Sequence, residues 1–225
     1  DGKMRRLFSL LFGASTLLVI ERAEASGRSP AATHYSRMLW LLLFGLIHFY
    51  FIWWGDILSL YAAVGMIAFA CRRAGVKTLI GIACGLLAIE FLTFASFAGL
   101  LYSSAAAAAG PGASPEAVAN WEALQSGLAP YPPEDLADIL ARYRGSYGDL
   151  VRYNLAETLF DPLTTLKLFG AETLGYMLLG MAALKSGFLT GAWRDRAYVW
   201  TMAIGLGIGL PAFSLLAWAI VRESF

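Results

Sequence analysis

The sequence predicts an all-α fold: a polytopic transmembrane bundle of about six helices, with a partly helical extramembrane loop between the fourth and fifth. Three observations predict it. Counting Gly with the apolar residues and setting Tyr aside, about 64% of the 225 residues are apolar, against about 45–50% in soluble domains. Charged residues make up 15% where about 25% is usual, and the mean hydropathy is +0.61. Finally, the charges gather at the borders of six apolar stretches. A chain this poor in charge cannot cover its surface for water, so the partner it calls for is the lipid bilayer.

The six stretches are 7–20, 38–54, 57–71, 78–102, 168–184 and 197–221. A hydrocarbon core of about 30 Å needs roughly 17–25 residues at 1.5 Å each. The second, fourth, fifth and sixth stretches reach that length unaided. The third reaches it only if Gly55 and Asp56 join its first turn. The first is short, and Arg5, Arg6, Glu21 and Arg22 at its ends are expected to snorkel to the interfaces. Pro30, the Arg72–Lys77 run and the Gly191–Arg196 run separate neighbouring helices. Gly81-x-x-x-Gly85 and Gly205-x-x-x-Gly209 predict close helix approach, and Pro211 predicts a kink in the last helix.

Nine of the 17 basic residues fall on alternate short loops: Arg22, Arg28, Arg37; Arg72, Arg73, Lys77; Lys185, Arg194, Arg196. The positive-inside bias puts those loops in the cytoplasm. Lys3, Arg5 and Arg6 run against the assignment. The 103–167 segment then lies outside, between a first membrane part, 1–102, and a last, 168–225. It carries a net charge of −4. It opens with Ala105–Ala109 and Gly110-Pro111-Gly112, followed by two soluble helices. One starts at Ser114-Pro115 and ends near Gly127; the other starts at Pro132-Pro133-Glu134 and stops at Gly145. The first residue is not Met and the last helix stops with the chain, so truncation at both ends is expected.

Several classes drop out. A net charge of +1 offers no electrostatic footprint for nucleic acid. Cys71 and Cys84, and His34 and His48, have no metal-ligand spacing and make no disulfide framework, so no metal is expected. Phosphate loops, nucleophile elbows and zincin motifs are absent. Oligomeric state is not legible.

Chemistry-bearing residues concentrate around the second and third stretches. His48 lies inside an apolar helix, where an imidazole needs a partner. It either fixes packing through a hydrogen bond or serves as general base or proton relay in the pH range imidazole covers. Asp56 either caps the third helix or, as a carboxylate, orients His48 or a substrate; straight helix would hold the two about 12 Å apart, so contact requires the turn to fold back. Tyr50 and Tyr61 flank them. Trp53 and Trp54 suit the aromatic belt. Glu90 lies mid-stretch, where a carboxyl must turn inward, be protonated, or both; it is either a neutral hydrogen-bonding group or a proton or cation site.

Arg6-Leu-Phe8-Ser-Leu-Leu-Phe12-Gly13, Arg37-Met-Leu with Gly45-Leu-Ile-His48, and Trp54-Gly55-Asp56-Ile-Leu-x-x-Tyr61-Ala resemble the YeiB-like family of bacterial inner-membrane proteins (domain of unknown function 418). Arg144-Gly-Ser-Tyr147 and Leu178-Leu-Gly180-Met-Ala resemble it too. The resemblance implies further helices before and after this chain. It also implies distant kinship with membrane acyltransferases, which carry acyl groups from a cytoplasmic thioester such as acyl-CoA to envelope sugars or lipids. On that implication His48 and Asp56 are candidate catalytic residues, Glu90, Tyr50 and Tyr61 a substrate or proton site, and Arg72, Arg73 and Lys77 a hold for the donor's phosphates. Two alternatives stand beside it: a proton-coupled transporter using Glu90 and His48, and an envelope assembly protein that binds a protein partner through 103–167.

Overall fold

The computed structural model describes residues 2–128 and 132–223. Among them every regular element is helical: α1 (Gly2–Ala25), α2 (Pro30–Phe51), α3 (Leu58–Ala68, prolonged by a 3-10 turn, Phe69–Cys71), α4 (Val76–Ala109), α5 (Pro115–Ser126), α6 (Pro133–Arg144), α7 (Tyr147–Glu157), α8 (Asp161–Lys185) and α9 (Asp195–Glu223). Residues 1–182 form one compact unit and 183–225 a second.

The first unit is organised by α1. Ala14, Leu17, Ile20 and Ala23 recur every three residues on one stripe and are buried, as an amphipathic core helix requires. Three glycines set how closely the neighbours come. A Cβ on Gly13 would collide with the Met177 backbone, and one on Gly180 with the Leu10 carbonyl, so α1 and α8 cross with their backbones in contact. A Cβ on Gly45 would strike the Ser59 backbone, which joins α2 to α3 in the same way. Small residues permit such crossings where no side chain fits between helices. All three belong to the stretches that carry the family resemblance. The glycine pairs singled out as helix-approach motifs, Gly81 with Gly85 and Gly205 with Gly209, meet nothing within 4 Å among the described residues.

Several boundaries differ from the sequence expectation. α4 runs on through Ala105–Ala109, because consecutive alanines are the strongest helix formers and only Gly110 stops them. α8 starts at Asp161, not near 168, so the connection between α4 and α8 is shorter than 103–167. It holds three helices instead of two. α5 and α6 are where their proline starts and glycine stops place them; α7, unforeseen, is started by Ser146, whose side chain accepts from the Asp149 amide. α3 begins after Gly55 and Asp56, so with its 3-10 turn it has 14 residues, about 21 Å. That is less than a bilayer core.

Among the described residues two helices are long and apolar enough to cross a membrane, Val76–Ala109 and Asp195–Ala219. α1, α2 and α8 have the length, but Arg5, Arg6, Glu21 and Arg22, then His34, Arg37 and His48, then Lys167 and Glu172 lower their apolarity. Only 11% of the α4 span and none of the α9 span is buried. An apolar helix of that length at the centre of a water-soluble core would be covered, and these are not.

In the second unit Gly187 and Gly191 take φ of 81° and 77°, a left-handed backbone that glycine adopts without steric cost. Trp193 Nε1 donates to the Ser186 carbonyl at 2.8 Å and Tyr198 Oη to the Phe188 carbonyl at 2.7 Å, tying the turn to the start of α9. Pro211 sits inside α9, which continues through it.

Candidate functional site

The turn between α2 and α3 folds back. His48 Nδ1 lies 3.1 Å from Asp56 Oδ1, and the Ser59 amide donates to Asp56 Oδ2 at 2.8 Å. The Asp56 side chain is fully buried, that of His48 31% exposed. Asp56 therefore fills both roles weighed for it, capping α3 with one oxygen and holding the imidazole with the other. With Nδ1 directed at the carboxylate, Nε2 is the ring atom left to act on something else, and no hydrogen bond engages it among the described residues. The Trp53 ring stands edge-on to His48, centroids 6.2 Å apart.

The C-terminal carbonyls of α2, which no helix can satisfy internally, are closed by α7 and by the turn itself. Tyr147 Oη donates to the Phe51 carbonyl at 2.7 Å and Asn154 Nδ2 to the Tyr50 carbonyl at 3.2 Å. Ile52 and Trp53 amides donate to the His48 carbonyl at 2.9 and 2.8 Å. Tyr50 Oη donates to the Leu159 carbonyl at 2.7 Å. The connection after α4 is thus a clamp on the corner that presents His48.

Tyr61 lies elsewhere. It is 1% exposed, its hydroxyl lies 2.7 Å from Ser9 Oγ and donates to the Arg5 carbonyl at 3.0 Å, and its ring packs edge-on against Phe8 and Phe12. Its bonds pin α3 to α1, and none reaches His48. Arg72 lies at the opposite end of α3 from Asp56, its guanidinium 3.9 Å over the Phe69 ring; Arg73 and Lys77 are exposed.

Glu172 on α8 is the residue that sequence reasoning passed over. It is 6% exposed, takes Arg6 Nε at 2.6 Å on Oε1 and the Arg5 Nη2 group on Oε2, while Arg5 Nη1 reaches Thr173 Oγ1 at 3.3 Å. The signal was available: like Glu90, it is an acid inside an apolar stretch. The clasp also answers the two arginines that ran against the charge rule, since they are held by the fold. His34, which carried no assignment, is equally enclosed; its Nε2 meets the Gly65 carbonyl at 3.0 Å and its ring stacks on Phe69.

Two clefts adjoin these groups. One of about 450 Å³ is lined by Asp56, Trp54, Asp161 and Thr165; His48 is not in its lining. Another of about 510 Å³ is lined by Glu90, Glu172, Arg6 and Tyr176. Arg5 and Phe169 line both, with the guanidinium 4.8 Å over the ring, so this pair forms a shared wall. Glu90 therefore belongs with the arginine clasp, not with His48.

No family model matches the chain, and no solved structure matches it. It is 30% identical over 230 aligned positions to the uncharacterised protein YeiB of Escherichia coli (strain K12), covering 96% of this chain and 52% of that protein. Over 74 residues, 33% of this chain and 18% of the other, it is 45% identical to the uncharacterised protein YxaH of Bacillus subtilis (strain 168). Over 67 residues, 30% of this chain and 19% of the other, it is 37% identical to an uncharacterised 39.9 kDa protein encoded in an amylase 3′ region of Bacillus acidopullulyticus. The match to YeiB takes in nearly all of this chain, which spans about half of YeiB's length, and it supports a YeiB-like family for the chain.

Proposed function

We propose that this chain is the site-bearing part of a multi-pass inner-membrane enzyme that transfers an acyl group to a hydroxyl of an envelope sugar or lipid. α1, α2, α4, α8 and α9 cross the bilayer. α3, shorter than a span, completes a sixth crossing with the non-helical residues 52–57, where the Ile52 and Trp53 amides donate to the His48 carbonyl. Loops bearing Arg22–Arg37, Arg72–Lys77 and Lys185–Arg196 face the cytoplasm. The helices after α4 and the His48 corner then face outward.

The observation that carries this reading is the His48–Asp56 pair. A buried carboxylate on Nδ1 fixes the tautomer with a basic Nε2 and stabilises the imidazolium formed when Nε2 takes a proton. The acceptor hydroxyl gives its proton to Nε2 as its oxygen attacks the thioester carbonyl; the thiolate leaves and is protonated in turn. General-base catalysis of this kind contributes about 10²–10⁴-fold. Arg72, Arg73 and Lys77, on the cytoplasmic side, suit the phosphates of an acyl-CoA donor.

The test is acyl transfer from a radiolabelled thioester by the intact protein in proteoliposomes, with a panel of sugar and lipid acceptors. His48→Ala should lower it by at least about 10²-fold without changing insertion. Absence of transfer by the wild-type protein to any acceptor would remove the proposal. The Glu90 side chain favours a second reading, proton-coupled transport, because Glu90 Oε1 is enclosed with no hydrogen-bond partner among the described residues. That reading expects Glu90→Gln to stop proton-driven uptake while the protein still inserts, and unchanged uptake overturns it.

A further inference from the structure

The 510 Å³ cleft between α1, α4 and α8 has two unmet groups in its lining. Arg6 spends only Nε on Glu172; no described residue takes the hydrogens of its two terminal nitrogens, the fork that grips a phosphate bidentately. Since Arg5 and Arg6 share one carboxylate, the clasp keeps a surplus positive charge. The other unmet group is Glu90, whose Oε1 is enclosed and accepts from no donor among the described residues. A buried acceptor left without a donor is costly, more so beside lipid than water. Phe91 and Phe94 also line it, and Phe91, 71% exposed, carries the cleft out onto the bare apolar face of α4.

A ligand that answers all three features has a phosphate for Arg6, an N–H-bearing cation for Glu90, and hydrocarbon that leaves along Phe91 and Phe94. We infer that the cleft binds a phospholipid whose headgroup joins a phosphate to a primary ammonium, a phosphatidylethanolamine-type lipid entering sideways from the bilayer. Glycerol headgroups lack the cation, and choline headgroups lack N–H donors for Oε1. The inference is independent of the transfer chemistry at His48.

The experiment is a binding titration of the intact protein in detergent with short-chain phosphatidylethanolamine, phosphatidylglycerol and phosphatidylcholine, and with soluble phosphoethanolamine. The ethanolamine lipid should bind about tenfold tighter than the other two, a difference of about 1.4 kcal/mol. Glu90→Gln should erase that preference while binding itself persists. Arg6→Gln should weaken all three lipids alike, and His48→Ala should leave the pattern unchanged, which separates this site from the proposed catalytic one. Equal binding of the three lipids by the wild-type protein, a preference that survives Glu90→Gln, or phosphoethanolamine binding as tightly as the lipid would each overturn it.

Discussion

Asp56 and Glu172 are each 6% exposed, and each ties together two stretches of chain, but with different kinds of partner. Glu172 holds two guanidiniums, which keep their charge at any pH a protein meets. Asp56 holds an imidazole and a backbone amide. The first arrangement spends its charge on fastening α1 to α8. The second leaves the outer ring nitrogen, Nε2, with no hydrogen bond among the described residues. Two carboxylates buried to the same degree therefore differ in what they can do according to what faces them, not according to how deeply they are buried.

The sharpest way to break that comparison is Asp56→Asn. The amide still accepts from Ser59, so α3 stays capped. Its NH₂ can turn to His48 Nδ1, which forces the proton onto Nε2 and removes the base. Transfer activity should fall by about 10²–10⁴-fold, while the melting temperature in detergent moves by only a few degrees. Glu172→Gln should do the reverse. Two cations lose their shared counter-charge, and breaking a buried pair costs about 3–5 kcal/mol; with Arg6 half-exposed, we expect the lower end, read as loss of folded protein on denaturant titration. Gly180→Ala tests the same junction without charge. Its methyl would strike the Leu10 carbonyl, and overpacking of this kind costs about 1–3 kcal/mol. Destabilisation by both variants with the His48 pair still active in the surviving folded fraction would establish the division of labour.

How much of this was legible beforehand follows from the range of each interaction. Apolar stretches, proline starts and glycine stops are local, so α5, α6, α9 and the order of the apolar helices could be read directly. His48 and Asp56 are eight residues apart, and the only open question was whether the turn reverses. α7 was missed because Ser146-Tyr-Gly-Asp149 holds a glycine at its second helical position, which reads as a loop until its tertiary bonds to α2 are known. The Glu172 clasp spans more than 160 residues; spacing cannot show it, although an acid in an apolar stretch announces that some partner exists. Gly13, Gly45 and Gly180 stood out in sequence only as parts of resembling stretches. Their reason, backbones in contact, belongs to the folded state.

The smallest effect concerns α7, which clamps the His48 corner. Ser146 Oγ donates to Asp149 Oδ2 at 2.6 Å while the Asp149 amide donates back to Ser146 Oγ at 3.2 Å, a reciprocal cap at the start of the helix. The Ser146 hydroxyl, followed by nearby Arg152, holds the Asp149 carboxyl below the usual value of 3.8. A carboxylate with a depressed folded-state pKa stabilises above its unfolded pKa, and that contribution fades as pH falls through the folded value. Protection of α7 amides from hydrogen exchange should therefore be flat from neutrality to about pH 4 and decline below it. In Ser146→Ala the acid-dependent part should shrink, with about 1 kcal/mol of local stability lost at neutral pH. Tyr147 donates to the last carbonyl of α2, so fraying this turn should also loosen the amides of residues 52–55 and leave those around Glu172 untouched. Equal loosening of both would mean that the two carboxylates answer to one cooperative unit, and the contrast between them would then lie in chemistry alone.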